Sequence, residues 1–303
     1  MKEKNWLSYL LLLCTTIFWG GSFVLTKQLL TVASPVTIIF LRMVIASVIF
    51  SVITVILYKD SFRLSRKDFL IMLAVTFFEP FLYFICETYS IKYSDPTVVA
   101  ILIATIPMFI MIMSYFTEHE RIGVVNRIGT LIAFVGIFVM LIPSLGNVSF
   151  NGWGLVLGFG AVLSAVGYTY FINKMPAKYN TLVIITWQNL LGAIFFAPLF
   201  FLGKSSQMLH SEIIALVQPV NLTLLFILAI ACSTLAFMFY LHGIRHIGMT
   251  KTSIFTNLIP VATAILAYFI VGEEFPPVKI LGIAIVIVGV FMVQKKCQLK
   301  SNN

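Results

Sequence analysis

Runs of roughly twenty apolar residues, about the length of a helix that crosses hydrocarbon, constrain this chain more than any other feature. Short charged or turn-forming clusters separate them. Inside lipid only a helix or a closed barrel satisfies its own backbone polar groups, so each run is expected to be a helix. The runs fall at residues 7–30, 35–58, 69–91, 96–117 and 123–142, then at 152–172, 182–202, 222–243, 250–272 and 278–293. The expected fold is therefore an all-α integral membrane protein with ten transmembrane helices. Composition agrees: 60% of the 303 residues are apolar and 10% charged, too little charge for a surface facing water, where about 25% is usual. The first run is too long for a signal peptide and has no small-x-small cleavage site, so it reads as a span.

The net charge of +9 would suggest nucleic acid in a soluble protein. Here the basic residues lie between apolar runs, so a lipid bilayer is the expected partner and nucleic acid is not. Lys59, Arg63, Arg66 and Lys67 share a side with Lys2, Lys4, Arg121, Lys174, Lys178, Arg245, Lys295, Lys296 and Lys300, while the opposite loops offer little beyond Lys92 and Lys204. The positive-inside rule then places both termini in the cytoplasm of a multi-pass protein of a cell membrane, either the plasma membrane or the bacterial inner membrane. Cys14, Cys86, Cys232 and Cys297 have no paired spacing, and His119, His210, His242 and His246 no metal-ligand spacing. No HExxH, GxSxG or phosphate-cradling GxxxxGK[ST] occurs. No catalytic residue, metal or cofactor is expected, and the chain is not read as an enzyme.

The halves align without a gap from Ile91 and Ile244 onward. Thr97 matches Thr250, Pro107 matches Pro260, Glu120 matches Glu273, Gly129 matches Gly282 and Gly136 matches Gly289, all at one spacing. A looser match joins Gly20 to Gly167 and Lys27 to Lys174. Residues 1–146 and 147–303 are thus expected to be two five-helix repeats. An odd number of spans in each makes the second enter the membrane inverted, an arrangement that many alternating-access carriers use.

Phe18-Trp19-Gly20-Gly21-Ser22-Phe23 in the first run, Arg42 within Phe40-Leu41-Arg42-Met43, and the stretch 264–289 holding Val271-Gly272-Glu273-Glu274 resemble the EamA family of the drug/metabolite transporter superfamily. The resemblance covers nearly the whole chain, once per half. It implies a ten-helix carrier with a central cavity, often an exporter of amino acids or other small metabolites, working without ATP. One departure stands out: the first half reads Glu118-His119-Glu120-Arg121 where the second has Gly272-Glu273-Glu274. Little weight therefore falls on the loop acids.

A charge at membrane depth costs about 2.5–3.5 kcal/mol on insertion scales, so the few ionisable residues inside the runs are the candidate site. Glu79 leads. It lies mid-run before Pro80, which breaks the helical ladder, and a carboxyl there can exchange a proton. Tyr83 and Glu87 follow on nearly the same helical face. Arg42, at similar depth on the second run, is expected to pair with Glu87, either as a structural tie or as a pair that opens to a substrate carboxylate and amine. Trp19, Tyr168, Gln188 and Asn257 are further candidate substrate contacts, each explained about as well by packing. Pro107 and Pro260, at equivalent mid-run positions, are candidate hinges. Lys27 is expected to snorkel to the interface, and serines within the runs to serve packing.

The expected function is a secondary active transporter of a small-molecule substrate, exporting amino acids or similar metabolites. It would couple to protons through Glu79 and work by alternating access, as a monomer or homodimer. The alternatives are a membrane-embedded lipid-handling protein, with polar groups at the interface, and a channel, with a continuous polar lining.

Overall fold

The computed structural model describes residues 5–58, 63–117, 123–145, 152–176, 178–203, 205–247, 252, 255–256 and 258–294. Among these the structure is helical, with no strand. The helices are α1 (Asn5–Leu29), α2 (Pro35–Tyr58), α3 (Arg66–Thr76), α4 (Tyr83–Tyr93), α5 (Pro96–Ile103), α6 (Ile106–Thr117) and α7 (Val124–Leu145). They continue with α8 (Gly152–Ile172), α9 (Thr181–Leu202), α10 (Ser206–Val217), α11 (Pro219–Ile227), α12 (Ala236–Ile247), α13 (Ile259–Val271) and α14 (Pro277–Gln294). Two irregular segments join neighbours: a first, Phe77–Leu82 between α3 and α4, kinked at non-helical Glu79, and a second, the π segment Leu228–Leu235 between α11 and α12. Six helical stretches among the described residues, two of them running through these segments, are long and apolar enough to cross a membrane, and four more are apolar but shorter.

Local chemistry sets the ends. Ser65, Asn180 and Ser205 accept from the first-turn amides of Asp68, Leu182 and Met208. Pro96 and Pro219 open their helices, where a missing N–H leaves no partner wanting. Gly272 closes α13 at φ 69°, ψ 31°, a left-handed conformation that suits glycine.

The third run breaks at Pro80, as its sequence leads one to expect, with Glu79 extended (φ −144°, ψ 118°) just before it. Two features depart from expectation. The fourth run is interrupted at Ala104 and Thr105, ahead of Pro107, so both candidate hinge prolines fall in the first turn of a helix, α6 or α13, rather than inside one. Part of 203–221, expected to lie outside the spans, forms α10, held by Glu212. Its carboxylate accepts from the Ser34 amide at 3.1 Å and from the Thr37 hydroxyl, both at the start of α2.

α1 lies against α12 and α13, α8 against α4 and α5, α2 against α9, α5 against α13 and α7 against α14. Small residues permit the last contact. A Cβ on Gly136 would sit 2.6 Å from the Val286 amide and 2.9 Å from the Gly282 carbonyl, and one on Gly289 would sit 2.4 Å from the Ala133 amide and 2.7 Å from the Gly129 carbonyl. The glycines thus meet crosswise between the repeats, Gly136 by Gly282 and Gly289 by Gly129, which lets the two backbones touch. The main core gathers Phe23, Met43, Phe84, Ala161, Ala165 and Phe196 from five helices around the broken third run.

Candidate functional site

Opening a helix frees carbonyls, and in the bundle interior each needs a donor. At the first segment, the kink around Glu79, Ser164 Oγ donates to Phe78 O at 2.6 Å, and Gln188 Nε2 to Glu79 O at 3.3 Å. At the second, Ser233 Oγ donates to Leu228 O at 2.9 Å and Thr234 Oγ1 to Ala229 O at 3.3 Å, each five residues back. The two openings share one small cavity. It is lined by Met43, Glu79, Pro80, Phe84, Ile185, Gln188, Asn189, Ser233 and Phe237.

Glu79 is 7% exposed, and its carboxylate makes no hydrogen bond or ion pair with any described residue. The expected ion pair of Arg42 with Glu87 is not formed. Arg42, 3% exposed, donates through Nε to Ser233 Oγ, and its guanidinium lies 4.3 Å from the centre of the Phe84 ring. The reason is spatial: the π segment packs on α2 and brings a hydroxyl to the guanidinium. Glu87 exerts the strongest attraction on that charge, and the Tyr83 hydroxyl faces Glu87. Tyr168 stands beside Gln188 and Glu79. Trp19 meets Phe237 edge-on at 5.1 Å and Tyr240 at 5.0 Å, forming an aromatic wall behind the cavity.

Trp19, Arg42, Glu79, Tyr83, Glu87, Tyr168 and Gln188 therefore come together in or around the cavity. Asn257 lies outside the described residues. Pro107 and Pro260 do not line the cavity. Sequence reasoning missed Phe84, Phe237 and Ser233, the last because a serine in an apolar run reads as packing.

A second polar cluster also departs from expectation. Lys27 does not simply reach the interface: its Nζ donates to Ile91 O and Ser94 O, both at 2.8 Å, at the end of α4. Glu273, given little weight as a loop acid, is 8% exposed. It pairs with Lys279 at 2.7 Å and accepts from Thr97 Oγ1 at 2.9 Å, while Lys279 also reaches Asp95 at 3.1 Å. Burial pushes the Glu273 carboxyl above its usual range, opposed by the Lys279 ammonium. At the far end of α3, Tyr179 donates to Asp68 at 2.7 Å and Lys178 approaches it at 3.3 Å.

The family model described as "EamA-like transporter family" matches residues 6–142 and again 152–294. The chain is 32% identical over 280 residues to "Uncharacterized transporter YetK" of Bacillus subtilis (strain 168), covering 90% of this chain and 82% of that protein. It is 27% identical to an "Uncharacterized transporter" of Archaeoglobus fulgidus over 97% of this chain and 99% of the other. "Uncharacterized inner membrane transporter YhbE" of Escherichia coli (strain K12) is 28% identical over 72% of this chain and 70% of its own length. A solved crystal structure shares the fold at 15% identity, with a TM-score of 0.65 over 94% of this chain and 95% of that one.

Proposed function

Since the chain belongs to the EamA-like transporter family, and so is a multi-pass membrane transporter, we propose that it is a secondary active carrier exporting amino acids or similar small metabolites in exchange for protons. The observation that carries the reading is the Glu79 carboxylate, buried and without a bonding partner among the described residues, on the wall of a cavity where two helices open. A charge in that setting is expensive unless something compensates it, and a proton or a substrate group would do so.

Alternating access needs two half-structures that rock about a central site. Ten helices in two inverted repeats, 1–146 and 147–303, are the proposed frame. The glycines that meet crosswise between α7 and α14 support it. So does the reciprocal packing of α1 on α12 and α13 and of α8 on α4 and α5. The kink at Glu79 and the π segment Leu228–Leu235 serve as the proposed flexing points beside the cavity, with Pro107 and Pro260 as secondary bends. Both termini are assigned to the cytoplasm of a cell membrane, in keeping with the loop charges and with a relative named as an inner membrane transporter. One copy contains the whole cavity, so a monomer would suffice; a homodimer is the other proposed form.

The test is flux in proteoliposomes under an imposed pH gradient. Glu79→Gln is expected to abolish gradient-driven movement while the protein remains monodisperse, because only the titratable proton is removed. Undiminished pH-driven flux in that variant would take Glu79 out of the mechanism.

A further inference from the structure

Resting on the carrier reading, we infer that the cavity selects small organic solutes of net charge +1 and exchanges each for one proton. The argument begins with a charge inventory. Among the described residues that line the cavity Glu79 is the charged one; Arg42 and Glu87 act on it from outside that lining, and Arg42, Glu79 and Glu87 are 3%, 7% and 5% exposed. One guanidinium faces two carboxylates, which leaves one negative charge uncompensated when both acids are ionised. Low-dielectric surroundings do not hold such a charge cheaply. The site therefore demands one added positive charge at a time, carried either by a proton or by a ligand.

Geometry says which carboxylate receives it. Arg42 is engaged through Nε by Ser233, stacks on Phe84 and feels Glu87 as its strongest counter-charge. Glu79 retains no such partner and borders the cavity. The groups facing Glu79 from neighbouring elements are Arg42 on α2, Tyr83 and Glu87 on α4, Tyr168 on α8 and Tyr240 on α12. The three phenols are neutral, so they leave the charge count unchanged. Around Glu79 the wall is mostly apolar or aromatic. Phe84 and Phe237 bring aromatic rings to the lining, a type of side chain that can hold ammonium groups, and the Gln188 and Asn189 amides bring hydrogen-bonding groups.

Ligand classes follow by charge. A net anion would add a second negative charge where the guanidinium is already engaged. A zwitterion of net zero charge would leave the deficit in place. An amine of net charge +1 satisfies it, and so does a basic amino acid, whose two ammonium groups outweigh its one carboxylate.

The exchange balances. When the ammonium settles on Glu79, the carboxyl gives up its proton; on the other side the amine leaves and a proton returns. One positive charge moves each way, so the cycle carries no net current and responds to a pH gradient but not to voltage. A neutral solute exchanged for a proton would carry current.

The experiment uses the full chain in proteoliposomes with lysine, norleucine, glutamate and pentylamine, under either a pH gradient or a potassium–valinomycin voltage. Lysine and pentylamine should exchange with protons one for one, insensitive to voltage, with norleucine and glutamate at least about tenfold slower, a discrimination of about 1.4 kcal/mol. Glu79→Gln should lose proton exchange; Glu79→Asp, which keeps the charge, should retain it and guards against a variant that merely misfolds. Saturable norleucine flux equal to that of lysine, or flux driven by voltage, overturns the inference and leaves the carrier standing. Saturable movement of none of the four by monodisperse protein overturns the inference, and if a wider metabolite panel also fails, the carrier reading falls with it.

Discussion

Arg42 is held by a serine and an aromatic ring rather than by a carboxylate, and this sets what substitutions should do. Ser233→Ala removes the acceptor of a charge-assisted hydrogen bond in a buried site, and is expected to lower stability by about 1.5–3 kcal/mol. Thermal unfolding of the detergent-solubilised protein measures it. Arg42→Lys should not substitute for the wild type, because an ammonium has no planar face to lay on Phe84. A double-mutant cycle of Arg42→Ala with Ser233→Ala should show a coupling of about 0.5–3 kcal/mol, as for residues in contact. Additive effects would mean that the two act independently. Glu79, Glu87 and Arg42 were legible in the sequence because charge inside an apolar run is conspicuous. Their partners were not: Ser233 lies far from Arg42 along the chain, and nothing in the spacing of either residue tells that the π segment packs on α2.

At the level of elements, helix existence was largely legible, since apolar runs of bilayer length leave few options. Pro80 marked the break in the third run. The break between α11 and α12 has no proline, and its only trace is a pair of hydroxyls, Ser233 and Thr234, that reach back five residues. α10 escaped because its buried stripe is thin, Glu212 and Leu216 being its buried residues. Two predictions belong here. Gly136→Leu would force a side chain into the Val286 backbone, and overpacking of this kind should destabilise the α7–α14 contact by about 1–3 kcal/mol or more; an unchanged melting temperature would argue against the close approach. Glu273, with its carboxyl raised above the usual range, holds its proton more tightly in the folded protein than in the unfolded chain. Folding stability should therefore decline as pH rises from the usual carboxylate range through that raised value. Glu273→Gln should flatten the decline, which unfolding curves at a series of pH values would reveal.

For the whole molecule, the two polar clusters sit at opposite ends of the run from α3 to α4. Asp68, Tyr179 and Lys178 join the start of α3 to the connection before α9. Asp95, Thr97, Glu273 and Lys279 join the start of α5 to the turn before α14. In a carrier that works by alternating access, the ends cannot both stay tied throughout the cycle, because each face must open in turn. The Lys279 end is the more heavily desolvated: the Lys279 and Glu273 side chains are 6% and 5% exposed, whereas Lys178 is 62% exposed. A buried, well-bonded pair resists separation far more than an exposed one, and removing one partner of such a pair costs about 3–5 kcal/mol. Lys279→Met should therefore shift the population toward the state in which that end is open. Ile91, fully buried at the end of α4 where Lys27 also binds, is a suitable reporter. With the native cysteines replaced, Ile91→Cys should react slowly with a membrane-impermeant thiol reagent added on either side of the membrane. The reaction should accelerate severalfold when Lys279→Met is added, since a ligand-free two-state equilibrium moves by the free energy removed from one state. Equal labelling rates in the two backgrounds would mean that the cluster staples the fold without gating it.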